Sequence, residues 1–232
     1  MTVATESPVA EGLLLRPFRD EDAAALVEIY RDETLRHFTR TPVADLDEAA
    51  RWLEAQERGR AAGERYSFAV LAPLGGPAGA LPADGGLAGE RPAELVANVV
   101  LKRGAPGAPA AEVGYWTAAA ARGRGVAPRA LEGLTRWAFA AFAADGLVRL
   151  DLLHQVDNTA SCRVAEKAGY RFGSVLRAGP PEFPLDGHLH SRSADLHSRS
   201  ARPPIDGFAA NRVDAGRGGG PECSPWLLWY DM

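Results

Sequence analysis

Arg122-Gly123-Arg124-Gly125-Val126-Ala127-Pro128 separates an apolar run, Val113-Gly114-Tyr115-Trp116-Thr117, from a long amphipathic segment, Arg129 to Phe142. A strand, a glycine-rich turn and a helix in that order make an anion cradle. The first helical N–H groups have no backbone partners, and the helix dipole puts roughly +0.5 charge beside them. Gly123 and Gly125 carry no Cβ, so the backbone can turn tightly and approach a ligand. Pro128 fits the first helical turn, where a missing N–H costs nothing. Arg122 and Arg124 add charge that can pair with phosphate. No Gly-Lys-Ser/Thr follows, so this is not a Walker loop, and the third glycine of a dinucleotide fingerprint is absent. The stretch predicts a pyrophosphate seat, with an ordinary βα turn as the plain alternative.

The helix after the turn has the clearest period in the chain. Ala127, Ala130, Leu131, Leu134, Trp137, Ala138, Ala141 and Phe142 recur at helical spacing, and Gly146 ends the segment. Leu147 to Leu153 then reads as a strand. Asp157-Asn158-Thr159 caps a helix from Ala160 to Lys167, which Ala168-Gly169 closes. Tyr170 to Leu176 is a strand, Gly179-Pro180-Pro181 breaks it, and His188 to Ser200 reads as a final edge strand.

In the other direction, Glu112 to Thr117 is the strand leading into the turn. Glu94 to Lys102 and Tyr66 to Ala72 are strands before it, joined by a Gly/Pro/Ala-rich insertion over 73–92 that shows no periodicity. A helix starts at Asp45 or Asp47 and runs to about Arg60, with Gly63 as its stop. Residues 32–42, including His37 and Phe38, read as a connector. Asp20 caps a helix to about Tyr30, Leu13 to Phe18 is a first strand, and residues 1–11 read as a loose leader. The order is β-α-α-β-β-β-α-β-α-β-β, which predicts an α/β (α+β) fold with one mixed sheet and helices on both faces.

The 232 residues suit one decorated domain, and an apolar share of 46% suffices for a normal core. A net charge of −4 argues against non-specific nucleic-acid binding. No basic-plus-apolar leader and no run near the ~18 apolar residues of a membrane helix is seen, so the default is a cytoplasmic protein without membrane contact. Two distant cysteines, Cys162 and Cys223, suggest neither disulfides nor a metal cluster. His37, His154, His188, His190 and His197 do not make a metal pattern either, and His188-x-His190 would chelate only by chance of strand geometry, so no metal is expected; Cys162 beside Ser161 suggests an acyl-cysteine route as an alternative and reads as packing. The composition shifts after Ala201 toward a disordered tail. Pro225 to Tyr230 is apolar again, either packing back on the domain or contacting a partner or the substrate site.

Four motifs in order resemble the GNAT N-acetyltransferases: Glu112-Val113-Gly114-Tyr115-Trp116; Arg122-x-x-Gly125-x-Ala127; Asp157-Asn158-Thr159-Ala160-Ser161; and Glu166-Lys167-Ala168-Gly169-Tyr170-Arg171. Within that family the chain resembles the RimJ/RimL-like branch, which acetylates N-terminal amines of ribosomal proteins and, in relatives, small amines. The resemblance spans a domain over 11–200, leaving 201–232 as a C-terminal extension.

It implies a mostly antiparallel sheet of six to seven strands, splayed between the fourth and fifth. It implies acetyl-CoA as donor and no metal. The pyrophosphate would lie on Arg122, Gly123, Arg124, Gly125, Val126 and Ala127. The pantetheine arm would pair with the backbone of Tyr115, Trp116 and Thr117 and bond Asn158. Ser161 would protonate the departing thiolate. For the base, Glu182 and Glu112 are alternatives, with Tyr115 as a further hydroxyl. The acceptor is a protein N-terminus or a small amine. A non-catalytic acyl-CoA-binding module is the competing class. Dimerisation is common in the branch.

Overall fold

A computed structural model describes residues 7–39, 43–73, 93–180 and 184–194. Glu182, His197, Cys223, residues 74–92 of the insertion and the tail after 201 lie outside the described residues.

Among the described residues, eight strands form one sheet. In chain order they are β1 (Val9–Ala10), β2 (Leu13–Pro17), β3 (Arg65–Pro73), β4 (Ala93–Arg103), β5 (Ala110–Thr117), β6 (Arg149–Gln155), β7 (Arg171–Leu176) and β8 (Gly187–Ser193). Their spatial order is β1-β2-β3-β4-β5-β6-β8-β7. Every pairing is antiparallel except β5 with β6. That pair is parallel because a helix intervenes: α4 (Val126–Ala141) carries the chain back across the sheet. The other helices are α1 (Ala23–Ile29), α2 (Glu33–Phe38), α3 (Leu46–Ala62) and α5 (Thr159–Lys167).

Strands β3 and β4 are buried on both faces, and alternate side chains feed two cores. Phe68, Val70 and Val99 pack with Leu131, Leu134 and Trp137 of α4. Ala69, Leu71 and Leu95 pack with Leu26 and Tyr30 of the α1 segment and with Trp52 of α3. Trp116 of β5 joins this second core, edge-on to Tyr30 with ring centroids 6.0 Å apart.

Helix α3 starts where expected, with Asp45 accepting from the Glu48 N–H at 2.8 Å, and ends at Gly63 with φ 75°. The first helix does not begin on an Asp20 cap. A 3-10 turn occupies Asp20–Asp22, and Asp22 is fixed by Arg16 at 2.7 Å.

Three expectations are corrected. The supposed leader contains β1, which pairs with β2 and packs on α4. Two residues are too short for a period to show. The supposed connector holds α2, capped by Asp32, whose carboxylate accepts from the Leu35 N–H at 2.7 Å. Finally, β8 is not an edge strand. It lies between β6 and β7, and β7 is the edge.

Gly133 shows how closely β1 is seated. A Cβ there would stand 2.7 Å from the Val9 carbonyl oxygen. Gly133→Ala is therefore expected to cost about 1–3 kcal/mol, read as a lower urea midpoint. An unchanged midpoint would mean that β1 does not rest on α4.

Candidate active site

The glycine turn is built as its sequence implies. Gly123 and Gly125 have φ of 75° and 72°, and a Cβ on either would meet nothing within 4 Å. Gly125 is the N-cap of α4, and no side chain caps the helix. Among the described residues, the first-turn N–H groups therefore have no side-chain cap. The Arg122 guanidinium is already engaged, by Asp32 at 2.6 and 3.2 Å. This bidentate pair ties the turn to the start of α2, and it holds the Asp32 carboxyl below its usual range.

Beside the turn the sheet opens. Strands β5 and β6 are in register only from Ala110↔Arg149 to Val113↔Leu152. Beyond that, Gly114–Thr117 stay on β4, and Leu153–Gln155 stay on β8. The two strands part, and the facing edge of β5 loses its ladder. The gap is a cleft of about 430 Å³, lined by Tyr115, Trp116 and Thr117 on one wall and by Asn158 and Ser161 on the other. The Arg122–Pro128 turn closes one end, and Leu35 and Phe38 of α2 cover it. Thr117 Oγ1 is buried there without a hydrogen-bond partner among the described residues. The Trp116 side chain belongs to the core, so its part in the cleft wall falls to its backbone.

Across the gap, the Tyr115 hydroxyl donates to Ser161 Oγ at 2.8 Å. Burial pushes the Tyr115 phenol up to about 12. Ser161 is placed by the start of α5, where Asn158 Oδ1 accepts from the Ser161 N–H at 3.2 Å. That cap uses only the side-chain oxygen of Asn158.

A family model described as an acetyltransferase (GNAT) domain matches residues 12–171. The chain is a GNAT acetyltransferase. Comparison with curated proteins finds no match. Among solved structures, the fold is similar to that of a ribosomal-protein-serine acetyltransferase from Vibrio cholerae, described there as putative. The identity is 21%, the coverage 84% of this chain and 100% of that one, and the TM-score 0.66. Mycobacterium smegmatis RimJ in complex with a CoA-disulfide is 20% identical over 82% of this chain and 87% of its own, with a TM-score of 0.62. The microcin self-immunity acetyltransferase MccE, in complex with acetyl-CoA and AMP, is 15% identical over 83% and 99%, with a TM-score of 0.64. The splay of this GNAT domain falls between the expected strands, which become the fifth and sixth once β1 is counted. Among the described residues, no helix is long and apolar enough to cross a membrane.

Two residues sit differently from their sequence reading: Glu112, a candidate base, and Cys162, read as packing. Glu112 lies on the paired part of β5, outside the cleft lining, and its carboxylate binds Lys102 Nζ at 2.8 Å. Both side chains are buried, and burial pushes the Glu112 carboxyl up against the pull of Lys102. It is an ion-pair member inside the sheet. Cys162 is more than packing: its Sγ faces His188 Nδ1 at 3.3 Å and His154 Nε2 at 3.5 Å, with His190 close by. Burial holds His154 down to about 4 and lowers His190 as well. The Tyr170 backbone pulls His190 the other way, most weakly, and lies outside hydrogen-bond geometry of either ring nitrogen.

Sequence reasoning missed two bridges across the cleft mouth. Besides Asp32–Arg122, His37 Nε2 reaches Asp157 at 3.2 Å. Asp32, three residues before Leu35, was a readable helix cap. Its pairing with Arg122, 90 positions away, left no local signal.

A second, larger hollow of about 640 Å³ lies between the start of α1 and α3, lined by Phe18, Leu53 and Arg60 among others. It touches neither the glycine turn nor the Tyr115–Ser161 pair.

Proposed function

We propose that this GNAT enzyme moves an acetyl group from acetyl-CoA to a primary amine by direct attack within a ternary complex. The observation that carries the reading is the Tyr115–Ser161 hydroxyl pair, set where β5 leaves β6, in one cleft with an uncapped helix N-terminus. Acetyl-CoA, when bound, supplies an activated thioester. Two fold neighbours solved with acetyl-CoA or a CoA-disulfide support the choice of donor.

The residues present fit such a guest. The open N–H groups at Gly123–Ala127 suit a pyrophosphate. The unladdered edge of Gly114–Thr117 suits the two amides of pantetheine, as an added strand would. Thr117 Oγ1, otherwise unpartnered, and the Asn158 amide offer further bonds. N–H groups of the freed β5 edge can polarise the thioester carbonyl.

Ser161 presents its O–H to the departing sulfur, and Tyr115 donates into Ser161. A thiol titrates near 8.5, so full transfer of a proton from Tyr115, held near 12, would cost about 5 kcal/mol. The pair therefore stabilises the thiolate by hydrogen bonding, and the proton that finally neutralises it comes from the acylated nitrogen. Glu182, the carboxylate that the family resemblance puts near the acceptor, accepts a proton from the incoming ammonium ion.

A thiol-release assay with acetyl-CoA over a panel of peptides and small amines tests the proposal. Ser161→Ala is expected to lower kcat about 100-fold and to leave the KM for acetyl-CoA within about threefold. Tyr115→Phe acts through the same oxygen, so it should cost about tenfold and add nothing to Ser161→Ala. Coenzyme A binding without thiol release for any amine, with both variants behaving as the parent, would make the chain a non-catalytic binding module.

A further inference from the structure

His154 of β6, Cys162 of α5, and His188 and His190 of β8 meet beside the cleft, whose lining includes His154. Their convergence follows from register. His154 stands opposite His188 in the β6–β8 pairing, and His190 follows two residues on. The three imidazoles thus share one face of the sheet. Helix α5 packs against that face and brings Cys162, in its first turn, onto them.

One ligand atom from each residue lies within 4.8 Å of every other. A tetrahedral ion with nitrogen at about 2.0–2.1 Å and sulfur at about 2.3 Å spaces its ligands roughly 3.3–3.7 Å apart. The sulfur–nitrogen pairs at 3.3 and 3.5 Å already match. The widest pair must close by about 1–1.5 Å on binding.

Two further observations point to a ligand. His154 Nδ1 donates to the Gln155 carbonyl at 2.8 Å, which leaves the lone pair on Nε2, the atom facing the thiol. A backbone carbonyl holding the far nitrogen is the outer-shell bond that orients metal-binding histidines. His190 is 1% exposed, yet neither of its ring nitrogens has a hydrogen-bond partner among the described residues. Leaving such a polar group unmatched in the interior is costly, and an ion at the centre of the cluster would engage one of its two nitrogens. Phe172 packs edge-on against His188 and His190, with centroids 5.3 and 5.6 Å away, and gives the cluster an apolar collar.

We propose that His154, Cys162, His188 and His190 bind one zinc-class divalent ion as a closed, four-ligand structural site. On binding, the Cys162 thiol releases its proton to solvent and the thiolate joins the ion. Cys162 and His188 are half-buried, so the ion enters from their side. With four protein ligands no position remains for substrate. The ion's work is to pin α5 to β6 and β8. Because Cys162 follows Ser161 directly, the pin also fixes the hydroxyl at the cleft wall.

The test is a titration of chelator-treated full-length protein with cobalt(II). One equivalent should produce the visible bands of tetrahedral cobalt together with a thiolate-to-cobalt charge-transfer band. Zinc should bleach both, and should raise the thermal unfolding midpoint of the metal-free protein. Cys162→Ser should lose the charge-transfer band while its circular-dichroism spectrum stays native. It should also bind zinc more weakly by more than the roughly 10–100-fold that losing an outer-shell partner costs. His190→Ala should lose the tetrahedral spectrum as well. A weak octahedral cobalt spectrum in the parent protein, or zinc affinity in Cys162→Ser equal to the parent's, would overturn the proposal.

Discussion

Gly125→Glu is expected to lower the affinity for coenzyme A about a thousandfold while leaving the domain folded. Gly125 caps α4 with φ 72°, and a side chain there would enter open space, so nothing in the protein needs to move. The backbone cost of a non-glycine residue in this left-handed conformation is about 1–2 kcal/mol, which a domain of this size survives. The loss of affinity has another source. The carboxylate lands beside the positive end of the helix and competes for the N–H groups that would receive the pyrophosphate. Two charge-assisted hydrogen bonds at about 1.5–3 kcal/mol each amount to roughly 4 kcal/mol or a thousandfold. Gly125→Ala separates the two effects. It carries the same backbone strain and no charge, so it should lose the same stability and less than about tenfold in affinity. Calorimetric titration with coenzyme A, beside urea unfolding of both variants, reads the difference. Affinity within tenfold of the parent in Gly125→Glu would move the phosphate seat elsewhere.

The strand–turn–helix proposed to hold that pyrophosphate was legible because its signal is local. A strand, two glycines and a helix with one apolar stripe lie within about thirty residues, and each part constrains the next. The same holds for Asn158, whose capping bond spans three residues. The fold class was readable for a related reason: β3 and β4 are nearly continuous apolar runs, which only a sheet covered on both faces can bury.

What sequence reasoning lost lies in long-range register. Tyr115 and Ser161 are 46 positions apart, and only the parting of β5 and β6 brings their hydroxyls together. Strand β8 looked like an edge because histidine, serine and arginine alternate along it. Those polar residues in fact meet partners: Ser191 donates to Asp151 at 2.6 Å, and Arg192 binds Glu132 and the Ala168 carbonyl. His188-x-His190 was the one ligand-like spacing in the sequence; His154 and Cys162 join it only through the pairing of two strands and the packing of a helix. Helix α2, at six residues, is too short to display a period.

Lys102→Met is the second large effect, and it decides what Glu112 does. It should cost about 3–5 kcal/mol at neutral pH, because it leaves a buried carboxylate without its partner. The pair is 2.8 Å apart, with side chains only 6% and 4% exposed, so solvent cannot take the lysine's place. Burial already pushes the Glu112 carboxyl above its ordinary value, and Lys102 is the main force against it. Without Lys102 the folded-state value rises further. The folded protein then holds a proton that the unfolded chain has released, so stability is complete below the ordinary carboxylate range. It is lost as pH climbs through the raised folded value. Urea midpoints measured from acid to neutral pH should therefore fall steeply with pH in Lys102→Met. In Lys102→Met/Glu112→Gln no titrating carboxylate remains, so that slope should vanish and most of the lost stability should return. A flat profile in Lys102→Met would mean that Glu112 is not held charged by Lys102. The same pair of residues separates structure from chemistry: Glu112→Gln alone should keep kcat within a few-fold, whereas a carboxylate acting as general base would lose about 10²-fold or more.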